Sequence, residues 1–361
     1  ATGELDEEQV RTVEERLTYL RNLVKRQQEV LTKIEEQDKL TDELRTAIEK
    51  TSKLQDLEDL YLPYKQKKRT RAQIARERGL EPLAAAIMLQ AGTKGTAAEA
   101  AAAFINEENK IVTADDALAG ASDIVAETIM EEAALRQQIR KHLWQTGEIS
   151  TGLDETAEES QTFLMYADYH EAIRTLPSHR ILAINRGEKK GCLRVRLTTD
   201  HEANCQRIYD RIYRQPSIFS DVLRLAIEDG YKRLLFPAME REIRSLLTEN
   251  AEKQAIHIFG INLKQLLLQA PLAGHTVMGL DPGYRTGCKM AIVDATGNVL
   301  DHGVLYITMS EDAQKASAKK VLELIKKHHV TLISIGNGTA SYETEEFTAR
   351  LIRDNQLNVH Y

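Results

Sequence analysis

From Val10, apolar positions fall at Val10, Val13, Leu17, Leu20, Val24, Leu31 and Ile34, with Gln27 as the one polar interruption. Alternating steps of three and four place them along one stripe of a long helix. Two uses of that stripe are open: a seam packed on later helices of the same chain, or a dimerising coiled coil. The short repeat and the helices that follow favour the first. Thr41 reads as an N-cap, with Asp42 and Glu43 in the first turn, where the helix dipole favours anions. Ser52 and Gln55 have capping-box spacing ahead of Leu54, Leu57 and Leu60, and Pro63 ends that helix. Thr70 and Gln73 repeat the spacing, Gly79 suits the position after a helix end, and Pro82 suits a first turn.

Residues 83–105 are alanine-rich and suit close helix packing. Thr113 and Asp116 open a helical stretch running to about Gln145, closed by Gly147. Residues 150–162, acidic and rich in Ser and Thr, read as an exposed connection. The period then shifts. His179–Arg186 and Cys192–Leu197 read as two strands, with Gly187–Gly191 as their hairpin turn. Helical patterning returns from Phe219 to about Gly230 and again from Pro237 to Ala270, with Pro271 and Gly274 marking a boundary. Beyond it, Val277–Asp281 is a short strand ending in an acid. Gly287–Asp294 and Val299–Ile307 are two more strands, Asp312–His329 is a helix, and Val330–Ile335 is a fourth strand running into Gly336–Thr339. Three strands joined by tight turns, then a helix and a strand, open a ribonuclease-H-like α/β fold. The chain stops at Tyr361, before such a fold would be complete. The expected architecture is therefore a mostly α multi-helical body with a small β insertion, then a truncated α/β ribonuclease-H-like domain. The expected divisions are residues 1–62, 63–274 (with the hairpin near 179–199) and 275–361.

Composition narrows the function classes. At 42% hydrophobic, the 361 residues can bury a sizeable core, and 19 Gly with 7 Pro excludes collagen-like and low-complexity chains. The net charge of −7 excludes a bulk polycation, so any nucleic-acid binding rests on local basic patches. Cys192, Cys205 and Cys288 are odd in number and form no CxxC, which fits a reducing cytoplasm better than a disulfide framework. No apolar run approaches the ~18 residues of a membrane span, and Ala1–Asp6 is polar and acidic, unlike a signal peptide.

Three strings carry a family resemblance: Asp56-Leu57-Glu58-Asp59-Leu60-Tyr61-Leu62-Pro63-Tyr64-Lys65 with Arg69-Thr70-Arg71; Leu280-Asp281-Pro282-Gly283-Tyr284-Arg285-Thr286-Gly287; and Ile335-Gly336-Asn337-Gly338-Thr339-Ala340-Ser341. In order and spacing, from about Leu5 onward, the chain resembles the bacterial Tex family of transcription accessory proteins. The resemblance implies a YqgF (ribonuclease-H-like) domain from about His275. It also implies an internal fragment, lacking the helix-hairpin-helix and S1 domains that follow in such proteins. Its implied role is RNA or DNA binding in transcription.

The sharpest charge contrast supplies the first candidate interface. Residues 1–60 hold 10 Lys/Arg against 16 Asp/Glu, whereas residues 64–78 hold seven cations (Lys65, Lys67, Lys68, Arg69, Arg71, Arg76, Arg78) against Glu77 alone. Such a run can neutralise phosphates and release counterions, giving salt-dependent, sequence-blind binding, and Tyr61 and Tyr64 beside it can stack on bases. The same cations can instead face water or pair with the acidic helices before them. A second cluster comprises Arg174, His179, Arg180, Arg186, Lys189, Lys190, Arg194 and Arg196, with Arg194 and Arg196 on one face of a strand and Leu193, Val195 and Leu197 on the other. It reads as a phosphate-tracking surface or as a plain solvated face.

Asp281 is a degenerate catalytic candidate. In ribonuclease-H-like nucleases, acids on the first and fourth strands share two metals. Here the fourth strand runs into neutral Asn337, and Glu343, Glu345 and Glu346 suit a helix first turn. No Walker loop occurs, and His328-His329 has no carboxylate or cysteine at ligand spacing, so neither cofactor nor metal is expected. The leading reading is a non-enzymatic nucleic-acid-binding scaffold with RNA or DNA as partner and no membrane association. Two alternatives are a metal-dependent, resolvase-like nuclease built on Asp281 and a scaffold gripping RNA polymerase or the ribosome.

Overall fold

The computed structural model describes residues 5–92, 94–270 and 272–361, so the polar opening at Ala1–Glu4 and the boundary proline Pro271 lie outside the described residues. The chain divides into two compact units, residues 1–260 and 261–361.

The first unit opens with α1 (Glu7–Glu35), α2 (Asp42–Lys50) and α3 (Leu54–Tyr61). The α1 stripe is used in two ways. Val30, Leu31 and Ile34 are buried with Ile48, Leu57 and Tyr61 in a small core of their own. The Gln27 amide is no defect in that seam, because it donates to the carbonyls of Ile48 (2.8 Å) and Thr51 (3.0 Å) at the end of α2. Val10, Val13, Leu17, Leu20 and Val24 are exposed, so intramolecular packing accounts for only the second half of the stripe. Thr41 caps α2 as expected. Ser52 does not cap α3: the residue before its first turn is Lys53, with no side-chain hydrogen bond.

After a short 3-10 turn (Leu62–Tyr64), the chain forms α4 (Arg71–Glu77), α5 (Glu81–Leu89), α6 (Ala97–Ala102), α7 (Ala114–Met130) and α8 (Ala133–Thr146). Thr70 and Thr113 cap α4 and α7. The stretch expected as one helix to Gln145 is two, broken at Glu131 and Glu132. The largest core then gathers residues from Ala72 to Ala251.

The β insertion is the main correction. Its strands are β1 (Glu148–Leu153), β2 (Asp168–Ala172) and β3 (Leu193–Thr198), antiparallel in the order β2-β1-β3. Residues 148–153 are thus the central strand, not an exposed connection. The segment expected as the first hairpin strand is α9 (Ser178–Lys189). Ile181, Ile184 and Gly187 are buried at helical spacing. A Cβ on Gly187 would come within 2.6 Å of Leu193 Cδ1 and 2.9 Å of Phe163 Cδ1, so the missing side chain lets α9 lie down on β3. The outer edge of β3 is not open, because Leu197 N–H donates to Glu240 Oε1 at 2.7 Å.

The unit continues through α10 (His201–Ile212) and α11 (Ser220–Gly230). Gly230 does not stop the helix: a π-helical turn, Tyr231–Leu235, carries it into α12 (Phe236–Leu267). Every fourth residue from Ile227 to Ala251 is buried: Ile227, Tyr231, Leu235, Met239, Ile243, Leu247 and Ala251. In a regular α-helix, steps of four drift by about 40° each. The wider π turn takes up part of that drift and keeps Met239 and Ile243 on the core.

The second unit bears out the expected α/β pattern. Its strands are β4 (Val277–Asp281), β5 (Cys288–Val293), β6 (Val299–Leu305) and β7 (Leu332–Ile335), with α13 (Glu311–His328) and α14 (Ser341–Asp354). The sheet order is β6-β5-β4-β7, antiparallel except for the parallel β4–β7 pair. Met278, Leu280, Met290, Ile292 and Ile333 from the sheet meet Val321, Ile325, Phe347 and Leu351 from the helices. His329 ends α13 in the left-handed conformation (φ 54°), which makes the paired histidines a helix-end feature.

The β5–β6 turn is held by Asp294, which accepts from the Thr296 and Asn298 backbone N–H groups (2.8 and 2.9 Å), the Thr296 hydroxyl (2.7 Å) and the Asn298 amide (3.1 Å). The Thr296 and Asn298 bonds hold its carboxyl well below the usual carboxylate range. This stabilisation is fully present above the unfolded-state value of about 4 and is lost as pH falls through the depressed folded value. Asp294→Ala is therefore expected to lower the thermal midpoint at neutral pH, with the gap from the parent chain closing below pH 3. Parallel melts across pH check it.

Candidate nucleic-acid interface

The basic run lies between α3 and α4, and its cations divide into two kinds. Lys67 is turned inward, paired with Glu131 and 3.7 Å from Glu127, both on α7 or just past its end. Arg76 donates to Glu127 at 2.9 Å. These pairs tether the segment before α4 to the helical body. Burial pushes the Glu131 carboxyl up despite Lys67, whereas Glu127, with Arg76 and Lys67 together offsetting its burial, is held below its usual range. Lys65, Lys68 and Arg71 are exposed and, among the described residues, have no ion pair. Arg69 is also exposed and reaches Glu77 at 2.9 Å. A groove of about 830 Å³ beside the run is lined by Tyr64, Lys65, Lys67, Arg76, Glu127 and Glu131, so carboxylates share its wall with the cations.

The two tyrosines do not flank this run as stacking platforms. Tyr61 is buried in the small N-terminal core with the Arg26 guanidinium 5.5 Å above its ring, and Tyr64 is half-buried against the same core. The helix end needs them as apolar cover, which withdraws the stacking expected of them.

A second ionic joint, not foreseen from the sequence, links the N-terminal helices to the body. Asp59 on α3 is buried and accepts from Arg136 Nε (2.6 Å) and Arg140 Nη2 (2.5 Å) on α8, and Arg140 also pairs with Glu242 on α12. Burial alone works against charge on Arg140, but Glu242 and Asp59 outweigh it and hold the guanidinium protonated. The Glu242 carboxyl rises because its burial exceeds what Arg140 returns. The alternation of Asp56, Glu58 and Asp59 with leucines gave no sign that one of these acids is interior.

The second basic cluster is split by the corrected fold. Arg180, on α9, is half-buried and donates to Glu171 (2.8 Å) and Tyr169 (2.9 Å). Arg186 and Lys189 are exposed at the end of α9, among the described residues without an ion pair, and Lys190 pairs with Glu159. Arg194 and Arg196 are exposed on β3 as the strand alternation predicts. Arg194 is 3.4 Å from Asp154, and Arg196 has no ion pair among the described residues. The register sets Arg196 and His170 on either side of Ser150, and Arg194 and Asp168 on either side of Gly152. His170, Asp168, Ser150 and Gly152 were missed because residues 150–162 read as a loop. The signal was the alternation of Ile149 and Thr151, both buried, with Ser150 and Gly152.

Asp281 ends β4, exposed, with Lys289 as its register partner on β5. The loops after β4 and β7 touch: Gly336 N–H donates to Leu280 O at 2.8 Å. Glu343 is engaged by the Tyr284 hydroxyl at 2.6 Å and Glu346 by Arg350 at 2.8 Å. Among the described residues, no three His, Cys, Asp or Glu side chains gather where they could hold a metal. Cys288 is buried beside the acid, and burial with the Asp281 charge pushes its thiol up to about 11, which leaves it unreactive at neutral pH.

A helical body joined in sequence to this α/β unit defines a nucleic-acid-related architecture with a YqgF, ribonuclease-H-like domain. Family models support that class segment by segment: the Tex-like protein N-terminal domain matches residues 1–35, the Tex central region-like model residues 93–259, and the Tex protein YqgF-like domain residues 275–361. The chain belongs to the Tex family. It is 42% identical to Protein tex of Bordetella pertussis over 367 residues, covering 98% of this chain and 46% of that protein. It is also 42% identical to the Transcriptional accessory protein Tex of Neisseria gonorrhoeae over 360 residues (98% and 46%). The human S1 RNA-binding domain-containing protein 1 is 32% identical over 368 residues (97% and 36%). The chain spans about half the length of the bacterial relatives it matches. No helix among the described residues is long and apolar enough to cross a membrane.

Proposed function

We propose that this chain is a non-enzymatic, nucleic-acid-binding part of a cytoplasmic transcription accessory factor. The observation that carries the reading is the division of the basic residues. Lys67, Arg76 and Arg180 hold the fold through carboxylates, while Lys65, Lys68, Arg71, Arg186, Lys189 and Arg196 stand exposed without such partners. Exposed cations with no internal role remain available for phosphate. The names of the relatives, a transcriptional accessory protein and an S1 RNA-binding protein, support RNA or DNA as the partner class. The non-enzymatic part rests on Asp281, which meets neutral Asn337 in the neighbouring loop while Glu343 is engaged by Tyr284.

The test is fluorescence anisotropy of the chain with labelled single-stranded RNA and duplex DNA across a salt series. A Lys65→Gln/Lys68→Gln/Arg71→Gln variant is expected to weaken binding several-fold at low salt. It should flatten the salt slope by about 2, near 0.7 per lost single-strand phosphate contact. Unchanged binding removes this run from the interface. Magnesium-dependent cleavage that disappears in Asp281→Asn would replace the scaffold reading with the nuclease one.

A further inference from the structure

The three-stranded sheet of the first unit is covered on one face only. Ile149, Thr151, Leu193 and Leu197 point into the core, and α9 lies on that side. The other face presents two columns of polar side chains with a low strip between them. On β3 stand Arg194 and Arg196, and on β2 stand Asp168 and His170, whose Nε2 is 3.3 Å from the Asp168 carboxylate. Between them the central strand offers only Ser150 and Gly152. Nothing lies within 4 Å of where a Gly152 Cβ would be, so the strip is open down to the backbone.

We propose that this open face seats a single strand of nucleic acid, with its phosphates along Arg194 and Arg196 and its bases laid across Ser150 and Gly152 toward His170. The proposal rests on the nucleic-acid reading above and names the site and the strandedness. Three features carry it. Arg194 and Arg196 are two residues apart on a strand, about 7 Å, on the order of the spacing of successive phosphates in an extended chain. The missing side chain at Gly152 leaves room for a planar ring to approach the sheet, and His170 and the guanidiniums have flat faces on which a base stacks. The Asp168 carboxylate, 93% exposed, is an acceptor for the exocyclic amino group of a base and a repellent for a second phosphate column. A duplex, which shows its phosphates outward and keeps its bases stacked, has no use for the strip.

The experiment compares the intact chain and three variants against a labelled 12-mer of uridylate, the thymidylate equivalent and a duplex of similar length. Arg194→Gln/Arg196→Gln is expected to lose about tenfold in single-strand affinity and to flatten the salt slope by about 1.4, the value for two contacts. Gly152→Val fills the strip at a strand position with free space. It is expected to cost single-strand affinity tenfold or more, the range of one lost stacked base, with the salt slope and duplex binding unchanged. His170→Ala, an exposed truncation that cannot disturb the core, is expected to move in the same direction by a smaller factor.

Single-strand affinity unchanged in both Gly152→Val and His170→Ala overturns the proposal, as does an equal loss for duplex and single strand. If the sheet variants bind like the parent while the Lys65/Lys68/Arg71 variant does not, the sheet seat fails and the function reading stands. If the parent chain binds none of the three probes, both fail. A 2′-hydroxyl preference separates the uridylate and thymidylate arms without bearing on the seat itself.

Discussion

Asp59→Ala is expected to be the most damaging single substitution in the helical unit, at about 3–5 kcal/mol. The carboxylate is 1% exposed and answers two guanidiniums, of which Arg136 is itself 8% exposed. Removing the acid leaves Arg136 as an uncompensated buried charge, while Arg140 keeps Glu242. Most of the cost is that stranded cation and not the lost attraction. The charge is the cause if replacing Asp59 and Arg136 together by Leu and Met recovers most of the loss. Urea unfolding followed by amide exchange in α3 and α8 measures it. A loss below about 1 kcal/mol would mean that water reaches the site and the joint is a surface pair in effect.

The second large effect is expected in the other unit. Gly287→Ala places a Cβ within 2.7 Å of Val304 Cγ1, 2.9 Å of the Leu305 carbonyl oxygen and 2.9 Å of Tyr306 Cδ1, at a residue with φ of +76°. The conformation costs about 1–2 kcal/mol for any residue but glycine. The clash adds about 1–3 kcal/mol, because one of the opposing atoms is backbone of β6, fixed by the Cys288–Leu305 pairing. Gly297→Ala is the paired control: its φ is +88° with nothing within 4 Å of the new Cβ, so it bears the conformational cost alone. The difference between the two, read from amide exchange in β5 and β6 of the intact chain, isolates the packing contribution. Equal effects would show that β6 moves aside.

Where local chemistry decided the structure, the sequence was readable. The caps at Thr41, Thr70 and Thr113 and the strand-turn-strand rhythm from Val277 to Ile307 depend on neighbours a few residues away. The reading failed where distant partners decide. His179–Arg186 has enough apolar and β-branched residues for a strand. It is a helix because Gly187 lets it lie on Leu193 and because β3 already has β1 as its partner. Glu148–Leu153 looked like a loop because its outward positions are small and polar, which is also what leaves the candidate site its open strip. Charge density located both basic segments but could not sort them. Lys67 and Lys68 are adjacent and alike in sequence, and only the position of Glu131, far along the chain, assigns one to the fold and the other to solvent.

The π turn at Tyr231–Leu235 makes this part of the chain sensitive to length in a way that composition would not reveal. A one-residue deletion there allows the regular helix to close and rotates everything after it by about 100°. Met239, Ile243 and Leu247 would then leave the core together, although none of them had been altered. Over this stretch the gene is read less as a set of residues than as a phase, and a missing codon acts as an error of angle.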